Sequence, residues 1–285
     1  MKKILLATTL LAASSTVAMA DGHIVWGASA AAGIASSGPD GQAPADLNVR
    51  DDDKFHAYAN ASLDLTLSGA TDGGLTFGAN FGLTSGVTYT LADDDGFGDE
   101  AGDFGGPTVF ISGSFGKLEF SDDNFDFADD SNTGDVQYSG TFGTVSVGVI
   151  ADIESGEMGF SAGFAVGAIS IDASADTDDN FDVKASYKIN DALSVSASTD
   201  EDASAIVGAA YSANGISVSA DFNTSDESID LAAGYSANGL SVNAEMNTES
   251  ESYTVTLGYD LGGGLALEAG TNDVGDMMVG ATMAF

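Results

Sequence analysis

Apolar and polar side chains alternate along most of this chain, and this alternation restricts the available folds more than any other feature. Residues 240–246 read Leu-Ser-Val-Asn-Ala-Glu-Met, and residues 216–222 repeat the pattern as Ile-Ser-Val-Ser-Ala-Asp-Phe. Alternation puts the two sets of side chains on opposite faces of a β-strand. Because helical spacing is rarely sustained anywhere in the chain, the sequence predicts an all-β protein.

A repeating unit organises the alternation near the C-terminus, where YSANG begins at Tyr211 and again at Tyr235. A strand that crosses a membrane takes about 9–11 tilted residues, so two strands with their connections fill such a unit. Asn-Gly, which follows each of these tyrosines, is the preferred turn of a tight hairpin. The opposite hairpin ends are longer and acidic (TSDES, TESES). This asymmetry is typical of outer-membrane barrels, with short periplasmic turns and longer outer loops.

The polar face distinguishes a barrel from a soluble β-sandwich. A sandwich is packed by large side chains from two sheets, whereas this face consists of Ser, Asp, Asn, Thr and Gly, which suit a water-filled bore. Up to 18 alternating segments can be counted, and 16 is equally defensible if two short ones are assigned to loops. Barrels of 16–18 strands leave an aqueous channel. The sequence therefore predicts a transmembrane antiparallel β-barrel.

Both ends of the chain suit export to an outer membrane. Lys2 and Lys3 precede an apolar run and a small-residue cleavage site at residues 18–20, which predicts a secretory signal peptide over residues 1–20. A single barrel domain is then expected over residues 21–285. The last residues alternate and close on Phe285, which resembles the signal that hands barrels to their outer-membrane assembly machinery.

Charge and composition exclude several function classes. The chain carries 44 acidic and seven basic residues, for a formal net charge of −37. Such a surface repels nucleic acid, whose phosphates need Lys and Arg. There is no cysteine, so neither disulfides nor thiol chemistry is available. No Gly-x-Ser-x-Gly element accompanies a histidine and an acid, and no enzyme activity is predicted.

Four tyrosines recur at the interval of the repeating unit, each just before a tight turn and on the apolar face of its strand. We interpret them as an aromatic girdle at the periplasmic interface; the alternative is that they simply form cross-strand pairs. They are Tyr187, Tyr211, Tyr235 and Tyr259.

Residues 109–126 (VFISGSFGKLEFSDDNFD), the hairpin series that follows them and the terminal Phe285 resemble the trimeric general porins of Gram-negative outer membranes, especially the type of purple non-sulfur bacteria. The resemblance implies a 16-stranded barrel in outer-membrane lipid and lipopolysaccharide, a homotrimer, and a third loop folded into the pore. It also implies passive diffusion of small hydrophilic solutes and ions.

By this resemblance, residues 121–135 are the candidate constriction loop, although an ordinary solvated acidic loop stays open as the alternative. Its carboxylates would hang into the lumen: Asp122, Asp123, Asp126, Asp129, Asp130 and Asp135. In the family, a cluster of arginines faces these acids. This chain departs from that pattern, because its candidate lumen bases are only Arg50, Lys54, Lys184 and Lys188. The expected lumen is mostly negative, which predicts a preference for cations.

The acidic run at residues 92–106 (ADDDGFGDEAGDFGG) suggests calcium at first sight, with Asp93, Asp95 and Asp99 as weak candidate ligands. Phe97 stands where an EF-hand loop has a ligand, so a specific site is a minority interpretation and no other cofactor is predicted. An alternative function stays open, namely a secreted or surface-exposed acidic β-rich structural or adhesive protein stabilised by Ca²⁺. The sequence does not specify the preferred solute or the size limit.

Overall fold

The computed structural model describes residues 20–36, 55–91, 97–104, 106–126, 133–202 and 204–285. The predicted signal peptide therefore lies outside the described residues, apart from Ala20. Within the described ranges the chain forms 19 antiparallel strand segments: β1 (Ala20–Ser36), β2 (His56–Ala70), β3 (Thr76–Tyr89), β4 (Phe97–Phe104), β5 (Thr108–Gly113), β6 (Gly116–Asp126), β7 (Thr133–Phe142), β8 (Val145–Ala151), β9 (Met158–Val166), β10 (Ile169–Asp176), β11 (Phe181–Lys188), β12 (Leu193–Asp200), β13 (Ala205–Ala213), β14 (Ile216–Asn223), β15 (Ile229–Ala237), β16 (Leu240–Asn247), β17 (Tyr253–Gly262), β18 (Leu265–Asn272) and β19 (Met277–Ala284).

The strands form one closed ring, because β1 pairs with β2 on one side and with β19 on the other. β4 and β5 share one position in that ring: β3 pairs with β4 through residues 83–89 and with β5 through residues 76–80. The described chain therefore forms an antiparallel barrel of 18 strand positions, one of which is interrupted around Pro107. Proline has no N–H to give to a sheet, which suits it to this break. The barrel prediction is confirmed with the upper strand count, two more than the resemblance implies.

Tight turns occupy one end of the barrel and longer loops the other. Asn214 and Gly215 have φ angles of 53° and 78°, and Asn238 and Gly239 have 52° and 81°. Positive φ at both central residues matches the right-handed twist of the flanking strands, which is why Asn-Gly is favoured there. At the opposite end, residues 224–228 and 248–252 connect β14 to β15 and β16 to β17. The predicted asymmetry of the hairpin ends is confirmed.

Apolar side chains lie on the outer face of this ring rather than in a core. Ile216 and Val218 on β14 are 45% and 47% exposed, and Val279 on β19 is 58% exposed. Among the described residues no large side chain is fully buried. Contact with water costs roughly 25 cal/mol per Å² of apolar surface, so a continuous apolar belt of this kind needs hydrocarbon around it. No helix within the described residues is both long and apolar enough to cross a membrane.

Candidate channel and its inner wall

The inner wall of the barrel carries the polar half of the alternation. Strand register keeps these residues on one face from strand to strand, because directly paired residues of a sheet point to the same side. Asp221 on β14 pairs with Gly208 and Asp230, and Glu245 on β16 pairs with Ala232 and Thr254. The described carboxylates on this face include Asp64, Glu119, Asp172, Asp176, Asp182, Asp200, Asp221, Asp230, Glu245, Asp260 and Glu268.

Two of the predicted lumen bases lie on this face. Lys184 on β11 pairs with Asp172 and Ser198, and Lys188 pairs with Ser194 near the tight turns. Arg50 and Lys54 lie outside the described residues. The inner wall therefore holds far more carboxylates than basic groups over the part of the chain that the structure describes.

Lys117 is a third inner base, which sequence reasoning missed. Its ammonium lies 4.9 Å from the centre of the Phe110 ring and 2.6 Å from Oε1 of Glu119. Both contacts localise the positive charge close to its own strand. The signal was present in the alternation of residues 117–120, where Lys and Glu share one parity and Leu and Phe share the other.

The segment proposed from sequence as a constriction loop is largely strand where the structure describes it. Residues 121–126 continue β6, and Phe125 and Asp126 pair with Gly134 and Thr133 of β7. Asp122 and Asp126 are exposed, while Asp135 accepts a hydrogen bond of 2.9 Å from the main-chain N–H of Ile153.

Asp129 and Asp130 lie outside the described residues, as does the side chain of Asp123, so entry of residues 121–135 into the bore stays a prediction. The weak Ca²⁺ candidates Asp93 and Asp95 also lie outside them, and Asp99 belongs to β4, whose side chains are not described. In the described part of the chain, no group of three or more His, Asp or Glu side chains is arranged to hold a metal ion.

A different segment, at the end of β3, turns towards the bore. The register between β3 and β4 shifts near Gly86, whose φ is 118°. Beyond this point the Tyr89 ring stacks on Tyr58 with centroids 5.9 Å apart, and its hydroxyl donates a 3.0 Å hydrogen bond to the carbonyl of Ser36. Residues 87–91, called here the inward segment, thus comprise the paired end of β3 and the two residues after it, and the side chains of Tyr89 and Leu91 pack on inner-face residues.

Leu91, at the tip of the inward segment, reaches β18. The side-chain amide of Asn272 donates to the Leu91 carbonyl at 3.0 Å. β18 is four strands from β3 around the ring, by way of β2, β1 and β19. The contact therefore crosses the inner side of three strands. Sequence reasoning missed it because Val87, Tyr89 and Leu91 continue the odd-numbered parity of the outward-facing Phe81 and Leu83; Gly86 was the only hint that the faces change.

Glycines on the inner wall make room for these side chains. A Cβ on Gly33 of β1 would lie 2.7 Å from the Tyr58 ring, and one on Gly280 of β19 would overlap the Tyr58 hydroxyl. A Cβ on Gly270 of β18 would overlap Leu91. Gly33, Gly270 and Gly280 are called here the glycine patch. Tyr58 lies against Gly33 and Gly280 and donates a 3.3 Å hydrogen bond to Glu268.

Asn272 fixes the far side of this arrangement. Its amide also donates to Oδ2 of Asp276 at 3.0 Å, and its Oδ1 accepts from the main-chain N–H of Asp276 at 2.9 Å. Asn272 and Asp276 are both buried. The side chain that binds the inward segment is thus held by the loop between β18 and β19.

A cavity of about 530 Å³ lies between the inward segment and the wall beyond it. Its lining includes Leu91 of the inward segment and the inner-wall carboxylates Asp221, Asp230 and Glu245. Asp221 and Asp230 are directly paired across β14 and β15. The space beside the inward segment is therefore bounded by carboxylates.

The four tyrosines predicted to form a girdle lie on the outer face and are 43–48% exposed. Register sets them at matching heights: Tyr211 pairs with Leu193 and Val218, and Tyr235 pairs with Ile216 and Val242. The structure thus brings the tyrosines into one row beside the tight turns.

The outer loops crowd carboxylates from neighbouring hairpins. A hydrogen bond that the Glu249 carboxyl donates to Asp226, together with the negative charge of Asp226, raises the pKa of Glu249 in the next loop. Hydrogen bonds from the main chain and side chain of Ser228 lower the pKa of Asp226. The loops thus interact through charge.

A model of the Gram-negative porin family matches residues 7–282 of this chain. Among solved structures, two mutants of the Rh. blastica porin are similar, with 15% identity, 92% of this chain and 100% of theirs covered, and a TM-score of 0.57. The anion-selective porin from Comamonas acidovorans is 14% identical, with 93% and 100% covered and a TM-score of 0.50. The curated proteins gave no match. At these identities the structural likeness concerns the fold.

Proposed function

We infer the function from one premise, that the chain belongs to the family of Gram-negative porins, which makes it a channel of the bacterial outer membrane. We propose that this channel passes small hydrophilic solutes by passive diffusion and prefers cations. An 18-strand ring is wide enough to leave an aqueous bore, whereas rings of about eight strands are filled by their own side chains.

The charge of the inner wall is the observation that carries the cation preference. Asp221 and Asp230 are directly opposed, and like charges in that position repel. The described bases Lys184 and Lys188 lie on β11, three strand positions from β14. Rings of carboxylates select for cations because permeating cations relieve the repulsion. The Comamonas porin shares the fold and is anion-selective, so we attribute the preference to wall charge rather than to architecture.

We further propose that the protein is a homotrimer in outer-membrane lipid and lipopolysaccharide. The apolar outer belt supports contact with lipid, and the row of four tyrosines is suited to the periplasmic interface, where the ring meets hydrocarbon and the hydroxyl meets water. Family membership supports the trimer. Cross-linking in detergent, followed by electrophoresis with and without heating, would test this, since a monomer that shows no heat-sensitive oligomer contradicts the trimer.

Single-channel recording in a planar bilayer across a salt gradient tests the proposed channel. We expect discrete current steps, and we expect the sign of the reversal potential to show that cations pass more readily than anions. The triple variant Asp221→Asn, Asp230→Asn and Glu245→Gln should reduce the cation-to-anion permeability ratio by roughly half or more, because it removes carboxylates that face the bore.

The matched control, Asp152→Asn, Asp226→Asn and Glu249→Gln, removes the same charge from outer loops and should change the ratio less. Absence of steps at any protein concentration would overturn the channel. Steps with anion preference would overturn only the proposed selectivity.

A further inference from the structure

We propose that the inward segment, residues 87–91 at the end of β3, is the constriction element of this channel, and that the glycine patch and Asn272 hold it in place. This inference rests on the proposed function. It assigns the constriction to the connection after the third strand position, whereas the sequence resemblance assigned it to residues 121–135.

The inward segment is anchored at three points, each on a different part of the wall. Tyr89 stacks on Tyr58, the Tyr89 hydroxyl binds the carbonyl of Ser36, and the Leu91 carbonyl binds Asn272. Tyr89 and Leu91 are both buried. Anchors on β2, β1 and β18 fix the segment far better than one contact would, and a fixed segment sets a constant bore width.

The wall is shaped to receive this segment. Gly33, Gly270 and Gly280 come from three different strands, and a Cβ at each would collide with Tyr58 or Leu91. Glycine inside a strand weakens it and marks a place where something approaches closely. Gly33 and Gly280 make room for Tyr58, on which Tyr89 stacks, and Gly270 makes room for Leu91. A Cβ on the inner glycines Gly208 of β13 and Gly258 of β17 would instead come closest to side chains of their own wall, those of Asp221 and Ser241.

The position of the segment links the size limit to the charge preference. The bore is narrowed from the side of β1, β18 and β19, so solutes must pass between Leu91 and the wall that carries Asp221, Asp230 and Glu245. A narrow passage beside a row of carboxylates favours small cations, since an anion that passes there is repelled by the acidic wall.

Cysteine cross-linking tests where the segment lies. The chain has no cysteine of its own, so Leu91→Cys with Gly270→Cys introduces the only two thiols. Leu91 lies against Gly270, close enough for a disulfide after mild oxidation. The matched control is Leu91→Cys with Gly258→Cys on β17, where the nearest atoms to the added Cβ belong to Ser241 and Leu267. Cross-linking of the first pair alone is expected; failure of that pair, or equal yield of both pairs, would overturn the placement.

Conductance tests whether the segment limits the bore. Leu91→Gly and Gly270→Val should each raise single-channel conductance by roughly 1.5-fold and admit larger neutral solutes, because one removes the tip and the other displaces it. Gly258→Val, an equal change on an inner glycine outside the patch, should leave conductance within error.

If the wild type conducts, and Leu91→Gly and Gly270→Val both have the same single-channel conductance as the wild type, the inward segment is not the constriction. The proposed channel function would still stand. If the wild type gives no steps, the proposed function itself fails. The cross-linked variant should conduct like the wild type, and an increase on cross-linking would also count against the proposal.

Discussion

Two regions of the barrel are built on opposite plans. The regular wall, β12–β17, consists of short strands joined by tight turns, with small polar side chains inside. The packed sector, which comprises β1–β3 with β18 and β19, contains the longest strands and the only buried hydrophobic cluster in the described residues, formed by Ala35, Tyr58, Tyr89 and Leu91. The difference shows that repeated hairpins are sufficient to form the wall of the barrel. Narrowing the bore requires strands that depart from this regular repeat.

The packed sector also spans the seam where the barrel closes. Tyr58 on β2 binds Glu268 on β18 across the junction of β1 and β19, a separation of 210 residues in sequence. In the regular wall each strand pairs with its immediate neighbours in the chain. Contacts that join distant parts of a chain form late because loop closure must come first. We expect the packed sector to set the stability of the closed ring, and four predictions test this division.

The largest effect is expected for Tyr58→Ala. Removing a buried aromatic side chain costs about 3–5 kcal/mol, and here the loss falls on the seam. The measurement is the urea midpoint of unfolding in detergent, with Tyr187→Ala on the outer face as the matched control. If Tyr58→Ala lowers the urea midpoint no more than Tyr187→Ala does, the interior of the packed sector is not structurally distinct.

The second prediction separates the two faces of the regular wall. Ala220→Arg, midway along β14 on the outer face, should cost about 2–4 kcal/mol because it puts a charge into hydrocarbon. Ser219→Arg, its neighbour on the inner face, should cost little stability but reduce cation permeability. Refolding yield into lipid vesicles and conductance measure the two outcomes. If both arginines were tolerated equally, the apolar belt would not face lipid.

The third prediction compares two inner glycines. Gly280→Val in the packed sector should cost about 1–3 kcal/mol, because the added side chain collides with Tyr58 and the main chain has little freedom to move. Gly258→Val in the regular wall meets the Ser241 hydroxyl, which can rotate away. Melting temperatures of the two variants in the same detergent provide the test, and equal losses would contradict a specific role for the glycine patch.

The same division explains how much the sequence could predict. The alternation predicted the wall, the faces and a count of 16 to 18 strands, because each depends on neighbours in the chain. Asn214 and Asn238 located the tight turns for the same reason. The position of the inward segment was not predicted, because the contact of Leu91 with Gly270 joins residues far apart in sequence. No local sequence pattern indicates such a contact. The weak calcium candidates in the acidic run after Leu91 stay a prediction.

The smallest effect is expected in the outer loops of the regular wall, where neighbouring hairpins interact through charge rather than burial. The hydrogen bond that Glu249 donates to Asp226, and then the negative charge of Asp226, raise the pKa of Glu249. Asp226→Asn removes that charge, so the pKa of Glu249 should fall towards its ordinary value, and Glu249 should lose its proton at lower pH than in the wild type. A carboxyl-carbon NMR titration measures this directly. Glu157, whose pKa is raised by burial and by Asp178, should titrate unchanged and serves as the control. An unchanged pKa for Glu249 would show that the two loops do not interact, and the hairpins of the regular wall would then be independent beyond their strand pairing.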